Sequence, residues 1–535
     1  MSVSVTNQPS ASAGAGISVV HTVRRAEELV ERFAPAMAVL LIVTFAAWAW
    51  FASRGTRLQF DELLELSASS APTSGQVLSY LAAGVDFNPP LSHLLVRASM
   101  SLFGDTELAA RLPAFVGVVL LLICLYSLLS RQFTRSYGVM AMLAILCLPV
   151  RDYAVQARPY GLVLGFSALA LICYRNACQR GDRALALIGL AGCSAALVAS
   201  HYYAALVIGV ILAAELARTW ELRRVDWPVL VCCAAPALAV LWSLRHAMSQ
   251  QRQQIAHYFS RGNLLSFDHG FDVLAMDPVV YCVALVFVII AIEFHWRGTQ
   301  VQTPAAAAIG LPLRDITLGA GLLLLPVIGA VVSQFVTHAY VPRYFLPAAV
   351  GFAICLCYAV RVFSRVVAGL LLLLTVSFAL GFGITLTRQV LRPVEGLPSL
   401  EALTAEQTPL LFDTPANYEQ IYHYFPSLRN NMWVIVDPAA SMRYRQYDSD
   451  DKIMLALAGL GKAQAISLSE AVRRWPQFRL IPRSADYIWA LKCVMDSGSL
   501  ITVKHPFGNS NFIFNVSVAP EGVGQIDACA QSKLL

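Results

Sequence analysis

Charged residues are scarce in this chain: they make up 13% of its 535 residues, whereas an ordinary soluble domain has roughly 25%. Hydrophobic residues account for 57%, and the mean hydropathy is +0.61. This composition excludes an ordinary soluble domain and indicates an integral membrane protein. Many apolar runs approach the ~20 residues that a helix needs to cross a bilayer, and lipid-exposed backbone must satisfy its own hydrogen bonds. We therefore predict a polytopic bundle of transmembrane α-helices.

The sequence also lacks two patterns that would indicate other functions. No cysteines or histidines occur at a spacing typical of a metal site, and all 12 cysteines except Cys493 and Cys529 lie in or beside apolar runs, where packing is their ordinary role. The net charge of +6 comes from arginines that are spread over short loops, so they form no single basic face. We therefore expect no nucleic-acid partner.

Eleven apolar runs are candidate membrane spans. The first, 34–51, follows Arg24, Arg25 and Arg32 as the core of a signal peptide would, but its length favours an uncleaved span. Arginines are concentrated in alternate loops, which predicts a cytoplasmic segment over 1–33 and, with an odd number of spans, an external C-terminus. The runs are 34–51, 112–130, 137–150, 160–174, 184–200, 203–217, 227–244, 276–293, 315–335, 344–360 and 366–387.

The predicted outer loops have few cations for their length and carry most of the candidate functional residues. The first of them, 54–111, is too long for a simple connector and predicts short interfacial helices. Pro89 and Pro90 place Asn88 at a bend, and "PPLSHLLVRASMSLF" has the spacing of an amphipathic helix resting on the bilayer. The polar residues on this side include Asp61, Glu62, Asp86, Asp152, His201 and Arg343.

From about residue 388 the composition becomes that of a water-soluble segment, for which we predict a mixed α/β fold. "PLLFD" and "MWVIVDP" are typical of short strands, and "LITVKHPFGNSNFIFNVSV" of two strands around a turn. Ser467 lies three residues before Glu470, which predicts a helix cap. Cys493 and Cys529 either pair in an oxidising compartment or stay free, because the sequence does not set their distance.

Six motifs follow one another along the predicted outer side: "DE", "NPPL", "LFGDTELAARLP", "RDYAVQARPYGL", "SHYYAAL" and "VPRYFLPA". In this order they resemble the membrane glycosyltransferases of the GT-C fold, in particular the bacterial group related to aminoarabinose transferases, rhizobial lipopolysaccharide core glycosyltransferases and protein O-mannosyltransferases. The resemblance covers roughly residues 25–390. It departs from the pattern at Asn88, where relatives often have His or Lys before the proline pair.

The resemblance implies a GT-C transmembrane domain of about 11 helices over 34–387, with an outer loop at 54–111, and an extracytoplasmic α/β domain over 388–535. It implies a bacterial inner-membrane enzyme that transfers a sugar, with inversion, from a polyprenyl-phosphate donor at the outer membrane face. The acceptor would be a glycan, a lipid or a protein. No cofactor is expected to be obligatory, although a divalent cation could bind.

Asp61 matches the catalytic acidic position of this family, where a carboxylate takes the proton of the acceptor hydroxyl. Its alternative role is to cap the following helix. Glu62 is the second catalytic candidate. It could share a divalent cation with Asp61, or it could only orient the loop, because adjacent residues on a helix face different ways.

Two further motifs supply candidate donor-phosphate ligands at the mouths of predicted spans: "QARPYG" with Arg158 and Tyr160, and "VPRYF" with Arg343 and Tyr344. The planar fork of an arginine suits phosphate, which gains negative charge as it leaves. Alternatively, both arginines reach out to lipid headgroups. His201 either donates to the phosphate or belongs to an aromatic belt.

Asp86, Asn88 and Asp152 are candidates for acceptor contacts or a second acidic position. Asp86 either binds acceptor hydroxyls or caps the turn before the proline pair. Asp152 is either a second acidic contact or the ion-pair partner of Arg158.

A lipid or glycan transporter would also be polytopic, and so would an assembly protein whose bundle is only an anchor. Transporters usually place ionisable residues near the centres of their spans, where this sequence has few. An anchor needs neither so many spans nor acidic loops. The polar residues collect at one rim, which favours chemistry at a membrane surface.

Overall fold

The computed structural model describes residues 11–179, 182–254, 267–275, 312–362, 374–376, 378–379, 381–384, 403, 408–482, 489–507 and 511–531. The predicted span 276–293 and most of the predicted span 366–387 lie outside these residues.

The amino-terminal two thirds of the described chain is helical, as the composition predicted. Five helices are long and apolar enough to cross a membrane, and the number rises to eight if each of three bent helix pairs is one span. The predicted run 344–360 forms the shorter apolar helix Ala348–Val360. A polytopic helical bundle is therefore confirmed, whereas the number eleven stays a prediction. The helices are α1 (Ala11–Gly55), α2 (Phe60–Ser69), α3 (Ser74–Ala82), α4 (Pro90–Phe103), α5 (Glu107–Gln132), α6 (Arg135–Leu146), α7 (Tyr160–Ala177), α8 (Arg183–Ser200), α9 (Ala205–Leu222), α10 (Trp227–Ser243), α11 (Arg245–Gln254), α12 (Leu313–Leu323), α13 (Leu325–Val332) and α14 (Ala348–Val362).

Prolines explain two of the three bends. A bend of 73° separates α6 from the 3₁₀ helix Pro149–Val155, and one of 63° separates α12 from α13, whose second residue is Pro326. A proline donates no backbone hydrogen bond and disfavours helical geometry in the residue before it. The third bend, 59° between α10 and α11, has no proline at the junction.

The first outer segment folds as predicted into three short helices, α2 to α4. Pro90 is the first residue of α4, and Asn88 lies in the turn before it. In α4, apolar residues are exposed and a polar residue is buried: Leu102 and Phe103 lie at the surface, whereas His93 is completely buried. Its inward face therefore carries polar groups that the bilayer-resting interpretation did not anticipate.

Helices α5 and α7 cross at very close range through glycines. A Cβ atom added at Gly161 would lie 2.1 Å from the carbonyl oxygen of Ala114, and one at Gly117 would lie 2.2 Å from the carbonyl oxygen of Gly161. Small residues allow backbones to approach in this way in membrane bundles. Because α7 begins two residues after Arg158, this crossing also positions that arginine.

The residues after 408 form a six-stranded mixed sheet, with the strand order β3-β2-β1-β4-β6-β5. Strands β1 to β4 run parallel, and β6 pairs antiparallel with both β4 and β5. The predicted strands correspond to β1, β2, β5 and β6, so these predictions are confirmed. The strands are β1 (Leu410–Phe412), β2 (Met432–Ile435), β3 (Ala465–Ile466), β4 (Gln477–Ile481), β5 (Leu500–Phe507) and β6 (Asn511–Ser517).

In the described part of this unit, six α-helices flank the sheet. Ser467 accepts a hydrogen bond from the backbone N–H of Glu470 at 3.2 Å, as the capping pattern predicted. Cys493 and Cys529 form a disulfide, which decides between the two alternatives that the sequence left open. The helices are α15 (Pro415–Tyr424), α16 (Pro438–Arg445), α17 (Ser449–Gly459), α18 (Leu468–Arg474), α19 (Trp489–Asp496) and α20 (Pro520–Gln531).

The sheet unit packs directly on α2, the helix that begins beside Asp61. Leu64 and Ala68 of α2 share one hydrophobic cluster with Phe412 and Ile421. The hydroxyl of Tyr424 also accepts a hydrogen bond from the backbone N–H of Leu58 at 2.9 Å. The carboxy-terminal unit is therefore part of the wall around the amino end of α2.

The close approach of α5 and α7 leads to the first prediction. Gly161→Ala forces a methyl group against backbone atoms, and overpacking of this kind costs about 1–3 kcal/mol. We expect a lower melting temperature in detergent for Gly161→Ala. The matched control is Gly192→Ala in α8, because a Cβ there meets nothing within 4 Å. Equal melting temperatures for the two variants would contradict the close crossing.

Candidate active site

A cavity of about 1130 Å³, its mouth included, opens at the end of the bundle where α1 stops and α7 begins. Seven of the ten predicted site residues line it, and the sheet unit contributes two residues of α17 to its wall. The lining residues are Phe60, Asp61, Leu64, Asp86, Phe87, Asn88, Arg158, His201, Tyr202, Tyr203, Met248, Gln251, Thr337, Ala339, Arg343, Tyr344, Asp450 and Ile453. Tyr160 is not among them, but its ring centre lies 6.5 Å from that of Tyr344.

Asp61 and Arg343 form an ion pair within this cavity. Asp61 lies in the first turn of α2, and its Oδ2 is 2.6 Å from Nη2 of Arg343. Both side chains remain partly accessible, with 33% of Asp61 and 27% of Arg343 exposed. The carboxylate of Asp61 and the guanidinium of Arg343 are thus in direct contact and accessible from the cavity.

Arg158 lies deeper and joins two segments. Its Nη1 donates to the backbone oxygen of Asp61 and to Oδ2 of Asp86, each at 2.7 Å. Burial by itself would raise the pKa of Asp86, but the Arg158 guanidinium, the neighbouring His93 and the hydrogen bond from the backbone N–H of Asn88 hold it well below its usual range. Asp86 is therefore ionised at neutral pH and serves as the counter-charge of Arg158.

Aromatic rings surround the two arginines. The ring of His201 lies 4.6 Å from that of Tyr344, and the guanidinium carbon of Arg343 lies 5.7 Å from the ring centre of Tyr160. Burial, together with the positive charges of Arg158 and Arg343, lowers the pKa of His201 to about 3. Its Nδ1 accepts from the backbone N–H of Tyr203 at 3.2 Å. His201 is therefore neutral, with its proton on Nε2.

Glu62 does not line the cavity. Its two oxygens accept from the backbone N–H groups of Gln59 and Ala157 at 2.9 and 2.8 Å, and from Nε and Nη2 of Arg111 at 2.8 and 3.1 Å. The side chain is 2% exposed. These contacts favour the loop-orienting alternative for Glu62 over a catalytic role or a cation shared with Asp61.

For Asp86, Asn88 and Asp152, the contacts favour a structural role over a contact with the acceptor. Asp86 Oδ1 accepts from the backbone N–H and the side-chain amide of Asn88 at 3.1 and 2.9 Å, so Asp86 stabilises the turn before the proline pair. Asp152 forms its ion pair with Arg151 at 3.6 Å and does not line the cavity. The alternative in which Asp152 pairs with Arg158 is wrong, because Asp86 occupies that place.

Several residues at the site were not anticipated from the sequence. Glu65 lies one helical turn after Asp61 on the same face of α2, and this i, i+4 spacing was a usable signal. His93 lies within a segment interpreted only as an amphipathic helix. Gln251 donates to the backbone oxygen of Asp86 at 3.3 Å from α11, and Asp450 reaches the cavity from α17. No local pattern marks these last two.

Comparisons with known proteins agree with this architecture. The model of the dolichyl-phosphate-mannose-protein mannosyltransferase family matches residues 88–243, which is less than half of the chain. The crystal structure of ArnT from Cupriavidus metallidurans in the apo state aligns with a TM-score of 0.55 at 13% identity, over 89% of this chain and 97% of that chain. The fold is that of the GT-C membrane glycosyltransferases.

A second ArnT structure from the same organism, bound to undecaprenyl phosphate, aligns equally well, with a TM-score of 0.55 at 13% identity over 90% of this chain and 98% of that chain. No curated protein sequence matches the chain. The family match and the GT-C fold together support a glycosyltransferase. The resemblance inferred from the six motifs is thereby confirmed, and the matched region includes Arg158 and His201.

The pair of Glu62 and Arg111 generates the second prediction. Removing one partner of a buried ion pair leaves an uncompensated charge, which costs about 3–5 kcal/mol. We expect Arg111→Met to lower the melting temperature strongly. The control is Arg473→Met, because Arg473 and Asp527 form an ion pair with Arg473 63% exposed, and an exposed pair contributes about 1 kcal/mol or less. If Arg111→Met melted like this control, Glu62 would not depend on Arg111.

Proposed function

We propose that this protein is an inverting glycosyltransferase that takes a sugar from a polyprenyl-phosphate donor at the outer face of the cytoplasmic membrane. The observation that carries the proposal is the contact between Asp61 and Arg343 inside an open cavity. A base for the acceptor hydroxyl and a cation for the leaving phosphate are the two groups that such a transfer requires. The undecaprenyl phosphate bound to an ArnT of the same fold supports this donor class.

The donor phosphate would lie against Arg343, Arg158 and His201. Among the described residues, no hydrogen-bond acceptor contacts the buried Nε of Arg158 or of Arg343, so each guanidinium retains a donor for a ligand. Neutral His201 can donate from Nε2. Charge-assisted bonds to phosphate are short and strong, and they strengthen as negative charge develops on the leaving group.

The reaction would be a single in-line displacement. The acceptor oxygen forms a bond to the anomeric carbon as the bond from that carbon to the phosphate oxygen breaks, and the electron pair leaves with the polyprenyl phosphate. Asp61 takes the hydroxyl proton. One displacement inverts the anomeric centre. Arg343 must change partners in this scheme, from the Asp61 carboxylate to the phosphate, which releases the carboxylate to act as the base.

The proposed topology is a cytoplasmic segment over 1–33, a GT-C domain of about 11 helices over 34–387, and a periplasmic α/β domain over 388–535. The positions of two contact groups support it. Arg111 donates to the backbone oxygen of Ser53 near the end of α1 that lies beside the cavity. Glu31, near the start of the apolar part Glu28–Gly55 of the same helix, accepts from the backbone N–H of Arg135. The disulfide suits an oxidising compartment. These features support a multi-pass protein of a bacterial inner membrane.

The acceptor is proposed to be a glycan, lipid or protein of the cell envelope that enters between α2 and α17. Asp450 and Ile453 of α17 face the cavity that contains Asp61. Since α17 belongs to the sheet unit, that unit would contact the acceptor. Asp86 and Asn88 occupy the same wall but contact each other, so they would act mainly by shaping it.

The test is sugar transfer by purified protein in native lipid extract, from a panel of radiolabelled polyprenyl-phosphate sugars. A positioned general base contributes about 10²–10⁴-fold, so Asp61→Asn should lose at least 100-fold in turnover while its melting temperature is unchanged. Asp105→Asn, which removes an exposed carboxylate from the same outer segment, should behave as wild type.

Transfer by Asp61→Asn at the wild-type rate would exclude Asp61 as the base. If wild type transferred no label from any donor but moved the labelled lipid across the bilayer, the protein would instead be a flippase.

A further inference from the structure

A short connection, residues 56–59, joins the end of α1 to the start of α2. Asp61 lies in the first turn of α2, so the course of this connection determines where its carboxylate lies relative to Arg343. Leu58, in the middle of the connection, is 1% exposed. Because a buried backbone N–H or C=O group costs free energy when it is unpaired, both polar groups of Leu58 need partners.

Both partners come from α15 of the sheet unit. The backbone N–H of Leu58 donates to the hydroxyl of Tyr424 at 2.9 Å, and its backbone oxygen accepts from Nε2 of Gln420 at 3.2 Å. Gln420 and Tyr424 lie one helical turn apart, on the same face of α15. This face thus pairs both backbone polar groups of a single residue in the connection.

Tyr424 is itself held by two further contacts. Its hydroxyl donates to Oε1 of Glu107 in the first turn of α5, while it accepts from Leu58, because a hydroxyl can do both at once. The guanidinium carbon of Arg57 lies 5.3 Å from the centre of the Tyr424 ring, within the range of a cation–π contact. The membrane domain and α15 together therefore determine the position of this tyrosine.

Neighbouring polar groups of the connection are paired within the membrane domain. Arg111 donates to the backbone oxygens of Thr56 and Arg57 at 2.9 and 3.2 Å. The backbone N–H of Gln59 donates to Glu62 at 2.9 Å. The sheet unit therefore completes a set of hydrogen bonds that begins in the membrane domain and ends just before the first turn of α2.

These hydrogen bonds add a constraint that the apolar packing between the two units does not supply. The hydrophobic cluster that α2 shares with the sheet unit is non-directional, whereas the bonds to Leu58 hold the connection at specific atoms. A displacement of about 1 Å at a reacting group can cost ~100-fold in rate. A small shift of the connection would move the Asp61 carboxylate away from its place in the cavity.

We propose that Tyr424 and Gln420 are positioning residues for the glycosyl transfer: they hold the connection before α2 so that the Asp61 carboxylate reaches the acceptor hydroxyl. Neither residue lines the cavity, so both act through Asp61 without touching a substrate. The sheet unit thereby has a part in catalysis that is separate from the wall formed by α17. The inference rests on the proposed function, in which Asp61 is the base.

The first test is Tyr424→Phe in the full-length protein, because this change removes the hydroxyl and keeps the ring. We expect kcat for sugar transfer to fall at least about tenfold, with KM for the donor unchanged, as for a contact that matters only in the transition state. Gln420→Met should act in the same direction. The matched control is Tyr422→Phe, because Tyr422 lies two residues earlier in α15 and faces another direction; it should behave as wild type.

A double-mutant cycle separates positioning from a general loss of structure. If Tyr424 acts through Asp61, Tyr424→Phe should have no further effect on kcat in an Asp61→Asn background, because the effects of coupled residues are not additive. Equal fold losses in both backgrounds, or wild-type kcat in Tyr424→Phe, would overturn the inference and leave the proposed function intact. Normal turnover by Asp61→Asn would instead refute the proposed base itself.

A further measurement does not depend on catalysis. Amide hydrogen exchange reports the local opening of a hydrogen-bonded backbone, so the peptide 56–61 should exchange faster in Tyr424→Phe than in Tyr422→Phe. If Tyr424→Phe fails to fold, Gln420→Met supplies the same comparison. Equal protection in the variant and the control would show that α15 does not hold the connection, and would overturn the inference even if the variant were inactive.

Discussion

The cavity depends on the buried guanidinium of Arg158. Its Nη1 connects the backbone oxygen of Asp61 to the side chain of Asp86, and thereby joins the amino end of α2 to the turn before α4. Burying a cation is costly unless it is paired and hydrogen-bonded. Asp86 supplies the charge, and the carbonyl oxygen supplies the second acceptor. The close glycine crossing of α5 and α7 holds this arginine at the required depth.

Whereas Arg158 is held by its buried contacts, Arg343 can exchange one anionic partner for another. It is more exposed than Arg158, its ion pair with Asp61 lies in the open part of the cavity, and its Nε contacts no described acceptor. Because phosphate is also an anion, exchanging the carboxylate for it does not leave the guanidinium without a counter-charge. The same exchange would free Asp61 only after the donor has bound. Base and donor site are thus coupled through a single side chain.

Features encoded locally could be predicted from the sequence, and contacts between distant segments could not. Short apolar runs predicted β1, β2, β5 and β6, and the proline pair predicted the bend at the start of α4. The loop pattern placed Asp61, Asp86, His201 and Arg343 on one side of the membrane, and the structure brings all four into one cavity. The partner of Glu62 lies 49 residues away at Arg111, and that of Asp86 lies 72 residues away at Arg158. No local spacing specifies such pairs, so the sequence could not show the contacts of Glu62 or the cluster around His93.

The competition between Asp61 and the donor phosphate for Arg343 is tested most directly by the affinity for undecaprenyl phosphate. The dissociation constant should be measured for wild type, Asp61→Asn and Arg343→Gln in the same detergent. We expect Asp61→Asn to bind at least as tightly as wild type, since its arginine is released, and Arg343→Gln to bind at least tenfold more weakly, or about 1.4 kcal/mol. Loss of binding in Asp61→Asn, or wild-type binding by Arg343→Gln, would contradict the account.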